Sequence, residues 1–236
     1  MRPTRLALFG VRCAAGALAC AGLGYAAHTA YTWLRYGHAP RPRDDERDPL
    51  LDQFMPRYDV VDRLSFGVRA PADVTLAAAE RQDLMNAPGV RPIFQARQFV
   101  MGAGLEEKPL PRPLIEQVKA LGWVELARVP GREVVMGAVT QPWKGDVTFR
   151  SVPPGEFAAF AEPGYVKIAW TLRADPVDAT RCVYRSETRA MTTDEESRRR
   201  FRNYWSLVAP GVWLIRRLAA PPMRRQVEQE PFPDAA

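Results

Sequence analysis

YVKIAWTLRADPVDATRCVYRSETRAM, residues 165–191, decides the fold of this chain. From Tyr165 to Arg173, Val166, Ile168, Trp170 and Leu172 fall on one side, with Lys167, Ala169, Thr171 and Arg173 on the other. Asp175-Pro176-Val177-Asp178 reads as a turn, after which the alternation resumes from Arg181 to Met191. Cys182, Tyr184, Ser186, Thr188 and Ala190 there oppose Val183, Arg185, Glu187 and Arg189. Side chains alternate across an extended strand, so this pattern predicts two half-buried strands of an antiparallel sheet. The chain then runs directly into a long amphipathic helix. Thr193 with Glu196 three residues on makes a capping box, and Phe201, Tyr204, Trp205, Val208, Val212 and Ile215 recur at helical spacing. Pro210 predicts a kink near Ala209, and Pro221-Pro222 predicts the end of the helix.

Upstream of the quoted stretch, Leu64, Phe66 and Val68 alternate with polar neighbours, a strand over Asp59 to Arg69 that stops at Ala70-Pro71. Helices are expected over 73–85, 91–101 and 112–121. Trp123 to Val129 and Glu133 to Gln141 form a hairpin across Pro130-Gly131-Arg132, and a further strand covers Val147 to Ser151. A short helical turn then holds Phe157 and Phe160. This order specifies an α+β fold: a curved antiparallel sheet around a long C-terminal helix, with the smaller helices closing one end. A sheet with one apolar face needs a cover, and a sheet curled round one helix tends to leave an apolar cavity.

The side-chain inventory narrows the chemistry. The chain has 236 residues, a net charge of +6, 47% hydrophobic and 25% charged residues, the profile of an ordinary globular protein. Its positive charge is mostly arginine, and this alanine-rich balance suggests a high-GC bacterial genome. Both histidines, His28 and His38, precede the folded domain; Cys13 and Cys20 lie in the N-terminal apolar stretch, leaving only Cys182 in a strand. Histidine-based metal sites, Cys-His nucleophiles and Ser-His-Asp triads within the domain are therefore excluded, and neither cofactor nor metal is expected. No nucleic-acid-binding motif is present, so nucleic acid is not an expected partner.

Cys13 to Leu34 is free of charged residues and is flanked by arginines on both sides. As a helix it has the length to cross a bilayer core of roughly 30 Å. Three readings stand: a transmembrane anchor, a signal peptide cleaved after Gly24-Tyr25-Ala26, or lipidation at Cys20. With an anchor, the chain is a single-pass bacterial inner-membrane protein whose domain faces the cytoplasm. The expected organisation is an anchor over 1–36, a polar, proline-bearing linker over 37–57, the folded domain over 58–220 and a polar tail over 221–236.

The chain resembles the START-like superfamily, also called SRPBCC, which includes polyketide cyclases and lipid-transfer domains. The likeness rests on Val68-Arg69-Ala70-Pro71-Ala72, on the element order from Asp59 to Leu218, and on Ser186-Glu187-Thr188-Arg189. Uncharacterised bacterial members are further resembled through Gly137-Ala138-Val139-Thr140-Gln141-Pro142-Trp143, through residues 160–168 and through Phe201-Arg202-Asn203-Tyr204-Trp205. The resemblance implies a helix-grip fold with a hydrophobic tunnel, on which carriers and enzymes alike are built. The ligand-lining candidates are then Trp123, Val135, Phe149, Trp170, Tyr184, Tyr204, Trp205 and Val208. The expected function is a membrane-anchored domain that binds a lipid or other small hydrophobic ligand; the alternative is a cyclase- or dehydratase-type enzyme in the same cavity. Glu187 and Arg189 share a charged strand face and are expected to form cross-strand ion pairs towards solvent. The arginines of the last helix give either a solvated face, with Glu195 and Glu196 pairing Arg199 and Arg200, or a contact for anionic lipid head groups.

Overall fold

In the computed structural model, which describes residues 4–83 and 111–229, residues 165–191 contribute the two central strands of a six-stranded antiparallel sheet. In chain order the elements are α1 (Thr4–Arg35), a 3₁₀ turn (Asp44–Glu46), α2 (Pro49–Phe54), β1 (Val60–Val68), α3 (Ala72–Arg81) and α4 (Leu114–Ala120). They continue with β2 (Val124–Val129), β3 (Glu133–Thr140), β4 (Phe149–Arg150), α5 (Pro154–Phe157), β5 (Val166–Asp178), β6 (Arg181–Thr192) and α6 (Glu195–Gln229). The strand order is β1-β6-β5-β3-β2, with β4 also paired to β3. The architecture is α+β, an antiparallel sheet followed by a long C-terminal helix. The helix expected over 91–101, and residues 84 and 85 of the one over 73–85, lie outside the described residues.

The hairpin at the centre is longer than its sequence suggests. β5 and β6 stay paired to Asp178↔Arg181, through the residues read as a turn, with a register irregularity between Pro176 and Asp178. Pro176 is tolerated because β3 pairs with β5 only as far as Arg173, so no second neighbour asks position 176 for a donor.

One face of the sheet, here the front, carries Phe66, Val68, Val134, Met136, Trp170, Leu172, Cys182 and Tyr184, packed with α3, α4 and the distal part of α6. α6 runs along β1 and β6. Phe201 near its start packs with Val60, Val166 and Ala190, while Met223 and Val227 near its end join the front cluster. The helix does not stop at Pro221-Pro222, because Ala219, Met223 and Val227 continue its buried stripe at four-residue intervals. Residues 221–229 are thus part of the packed unit and not a polar tail. The N-terminal cap is Asp194: its carboxylate accepts from the Ser197 amide (2.9 Å), the Ser197 hydroxyl (2.7 Å) and the Gly164 amide (2.5 Å), which hold its pKa well below the usual range. Thr193 instead ties to the backbone of Tyr165.

The other face, the back, is not solvated. Asp48 caps α2 by accepting from the Leu51 amide (2.8 Å), and Leu51 and Met55 bury completely against Val135, Val139 and Ala169. Residues 48–55, read from sequence as part of a linker, therefore cover the sheet. The alternation of β6 has the expected phase, but its charged side lies beneath this cover: Glu187 is 5% exposed and Arg189 only 1%. Arg189 donates to Glu187 (2.7 Å), to Asp52 (2.5 Å) and to the Met55 carbonyl (2.7 Å). Glu187 also takes a two-pronged bond from Arg63 of β1 at 3.0 and 3.2 Å. These are buried ion pairs, not solvent-facing ones.

α1 lies against α6, and no helix among the described residues is long and apolar enough to cross a membrane.

Removing one partner from a buried ion-pair cluster costs most where it leaves a charge uncompensated. Glu187→Gln leaves Arg63 and Arg189 with only the exposed Asp52 to balance them and is expected to destabilise the fold by about 3 kcal/mol or more. Arg189→Met leaves Glu187 paired to Arg63 and is expected to cost about 1–2 kcal/mol. Urea unfolding of the two variants checks the order; equal losses would show that Glu187 is not the shared counter-charge.

Candidate functional site

The front face brings together four of the eight expected lining residues. Trp123 precedes β2, Phe149 opens β4, and Trp170 stands on β5; their rings form a half-buried trio, with Trp123 5.1 Å from Phe149 and 6.1 Å from Trp170. Tyr184 on β6 lies across the sheet beside Phe66, 5.0 Å away. It is buried, and burial pushes its hydroxyl up to about 12, against the opposing pull of Arg216 and a hydrogen bond with Ser186. Tyr204 and Trp205 are on the proximal part of α6, packed round Phe201 at 6.1 and 5.9 Å, and Val208 follows half-buried on the same helix.

Val135 does not belong to this set. It pairs with Thr171 on the back and packs beneath α2, while its neighbours Val134 and Met136 face the front. Every position of β3 is buried, so the strand has no alternation from which its phase can be read, and the bulge between Glu125 and Ala127 offsets the phase of β2.

The polar group that sequence reasoning missed on the front is Arg216. Its guanidinium reaches from α6 to Asp62 (2.5 Å), the Thr188 hydroxyl (3.3 Å) and the Ser186 carbonyl (2.5 Å). The signal was present. Trp205, Ala209, Val212, Arg216, Ala219, Met223 and Val227 follow one another at three or four residues, so position 216 belongs to the inner stripe although it holds a charge. Arg216 and Asp62 thus put an ion pair on a mainly apolar face.

Glu187, Arg189 and Arg150 lie elsewhere. The first two are under α2, and Arg150 is an exposed residue paired with Glu162 at 2.6 Å. Two of the clefts outlined by described residues bear on the site. An open one of about 440 Å³ takes in Trp143, Arg200, Asn203, Tyr204 and Leu207, so it includes a single member of the expected lining. The other, on the back near Asp48, Arg63, Thr171, Arg173 and Glu187, has room for about 20 Å³, one water molecule.

Beside that small cleft, Glu133 accepts from the Thr171 hydroxyl at 3.1 Å. Desolvation, then its contact with Asp48, push its pKa up to about 8, with Arg173 opposing the shift. A carboxyl poised near neutrality is a possible acid–base group in principle. Here it has no space for a substrate, and its environment is a packing arrangement beneath the cover. Among the described residues no group of three or more His, Cys, Asp or Glu is placed to hold a metal ion.

No family model and no curated protein matches the chain. Among solved structures it is similar to a truncated norcoclaurine synthase from Thalictrum flavum at 13% identity, covering 72% of this chain and 94% of that one with a TM-score of 0.32. A complex of that synthase with dopamine and hydroxybenzaldehyde matches at 14% identity, 73% and 88% coverage and a TM-score of 0.31. The Zhui aromatase/cyclase from Streptomyces sp. R1128 matches at 12% identity, 72% and 93% coverage and a TM-score of 0.22. Scores this low mark a loose likeness and say nothing about what this chain binds.

The raised pKa of Glu133 gives a pH signature. The folded chain keeps a proton that the unfolded chain releases near the ordinary value of 4.5. Folding is therefore favoured most below that value, and the advantage drains away as pH rises towards 8. Glu133→Gln removes this dependence, so the variant's melting temperature is expected to gain on the parent's steadily between about pH 5 and pH 8. A constant difference across that range would place the proton elsewhere.

Proposed function

We propose that the chain is a START-like, helix-grip domain that holds a small hydrophobic molecule, a lipid or similar compound, against the front of its sheet, close to a membrane to which α1 tethers it. The observation that carries the reading is the half-buried trio Trp123, Phe149 and Trp170 beside a local polar contact, Arg216 with Asp62 and Ser186. Rings that stay partly open offer flat apolar surface to a guest, and a few convergent polar groups orient it. Tyr204, Trp205 and Val208 extend the same front surface along α6. The tether reading is supported by the charge-free run from Cys13 to Leu34 and by the exposure of Leu23, Tyr25, Tyr31 and Leu34 on α1. An inner-membrane location, with the domain on the cytoplasmic side, is part of this reading.

Arg216 favours the second reading, an enzyme of the cyclase or dehydratase kind. A cation fixed on an otherwise apolar face can stabilise negative charge as it develops on a bound molecule. The back-face groups Glu187 and Arg189 take no part in either reading.

Native mass spectrometry of the full chain, extracted in mild detergent, tests both. A retained apolar molecule is expected, and Trp170→Ala is expected to weaken retention at least about ten-fold, a change of about 1.4 kcal/mol. Conversion of that molecule to one of different mass on incubation favours the enzyme. Protein that is always empty and takes up no lipophilic fluorescent probe removes both readings.

A further inference from the structure

Of the eleven large apolar side chains that are exposed among the described residues, eight lie on α1 and α6, too concentrated to be the ordinary scatter of a protein surface. Tyr25, Tyr31 and Trp33 on α1, with Leu207, Trp213 and Leu214 on α6, set its character. The two helices make it one surface. The Tyr25 hydroxyl donates to the Leu207 carbonyl, the Arg202 guanidinium donates to the Trp33 carbonyl at 3.0 and 3.2 Å, and the His28 ring meets that of Trp213 at 6.0 Å.

The cations of this surface differ from their neighbours. Arg198, Arg199, Arg200 and Arg224 of α6 each pair with a carboxylate, at 2.7, 2.6, 2.8 and 3.0 Å. Arg35, Arg202 and Arg217 pair with none among the described residues and lie instead against aromatic rings. Arg202 is 4.2 Å from the Trp33 ring, Arg217 is 4.2 Å from that of Trp213, and Arg35 is 6.0 Å from that of Tyr31. An apolar patch studded with Trp and Tyr, whose cations lack counter-charges, matches the boundary between acyl chains and anionic head groups. Ring bodies bury at such a boundary while guanidiniums meet phosphate.

We propose that the outer side of α6, together with residues 23–35 of α1, is a docking surface for an anionic lipid bilayer. It lays α6 in the plane of the head groups and holds the domain flat against the membrane. The proposal takes from the tether reading above only that α1 brings the chain to the bilayer, and it lays residues 23–35 along that surface and not across it; it is independent of what the front face binds.

The test uses the full chain reconstituted in vesicles of phosphatidylcholine with about one-third phosphatidylglycerol, or of phosphatidylcholine alone. The photo-crosslinking residue p-benzoylphenylalanine replaces Leu214, or, as a control, Val129, which is exposed on β2 at the sheet edge opposite β1. After flotation and irradiation, position 214 is expected to give at least about five-fold more lipid adduct than position 129 in anionic vesicles. That excess is expected to fall about five-fold in phosphatidylcholine vesicles, in Arg217→Gln, and for the unaltered arginines at about 0.5 M salt. Equal adducts at both positions in chain that floats overturn the docking surface and leave the tether standing. So does a 214 adduct to a second copy of the chain, which would mean that protein covers the patch, and so does an excess indifferent to lipid charge. Chain that does not float with vesicles removes tether and docking together.

Discussion

Arg189 is a guanidinium almost sealed from water, and much of the back half of the molecule follows from the need to accommodate it. A buried charge is tolerated only when it is paired and its donors are satisfied. The partners come from separate parts of the chain: Glu187 from the same strand, Asp52 and the Met55 carbonyl from the region of α2, and the Tyr58 ring 4.8 Å away. Glu187 in turn is held by Arg63 of β1, which also receives support from the Tyr58 hydroxyl at 2.8 Å. The cover and the charges thus depend on one another. Leu51 and Met55 exclude water and strengthen the ion pairs, and the ion pairs hold α2 where those two residues can bury. The outcome is a sheet packed on both faces, which fixes the front aromatics on strands that cannot easily shift.

Most of the fold could be read from periodicity, and the departures from that reading have identifiable physical causes. Strands β5 and β6 and the inner stripe of α6 were legible because each has one dry and one polar side. β3 was not, since all its positions are buried and a doubly covered strand carries no phase; Val135 was therefore assigned to the wrong face. Pro176 and Pro221-Pro222 were read as ends of elements. A proline ends a strand only where a neighbour needs its amide, and a helix passes through where the apolar stripe beyond it still has something to pack on. The cover at residues 48–55 was hidden by its polar, proline-bearing approach. Leu50, Leu51, Phe54 and Met55 form an amphipathic turn too short for periodicity to reveal.

The candidate site was legible in part for the same reasons. Trp170 and Tyr184 could be assigned from strand alternation, because β5 and β6 each have a clear inside, whereas Trp123 precedes β2 and Phe149 stands on a two-residue strand, so alternation alone does not fix them. Arg216 could not be found by listing apolar residues; it required following the helical stripe through a charged position. It matters because an ion pair on a mainly apolar face is costly to desolvate further, so it favours a guest with a polar end that can share its hydrogen bonds. Asp59 has a comparable role at the other end of the sheet. Its carboxylate accepts from the Thr192 amide (2.9 Å) and hydroxyl (2.7 Å) and from Arg198 (2.7 Å), linking β1, β6 and α6 where the chain leaves α1.

That junction decides how α1 and the domain move relative to one another. Tyr36 is buried against Phe201 at 6.0 Å, burial raises the pKa of its hydroxyl, and Asp59 accepts from it at 3.5 Å. Gly37 follows with a φ of 76°, and its amide donates to the Asp59 carbonyl at 2.9 Å. That φ is what calls for glycine at position 37, since the group a Cβ would meet there, the Arg198 guanidinium, ends a flexible side chain that can swing aside. The chain therefore passes from α1 into the sheet through a buried, hydrogen-bonded corner and not through a swivel. The residues read as a linker, 37–57, begin within this corner at Gly37, and residues 48–55 among them return to cover the back of the sheet. Whatever surface α1 rests on, the domain must share its orientation, and the front face keeps a fixed direction relative to that surface.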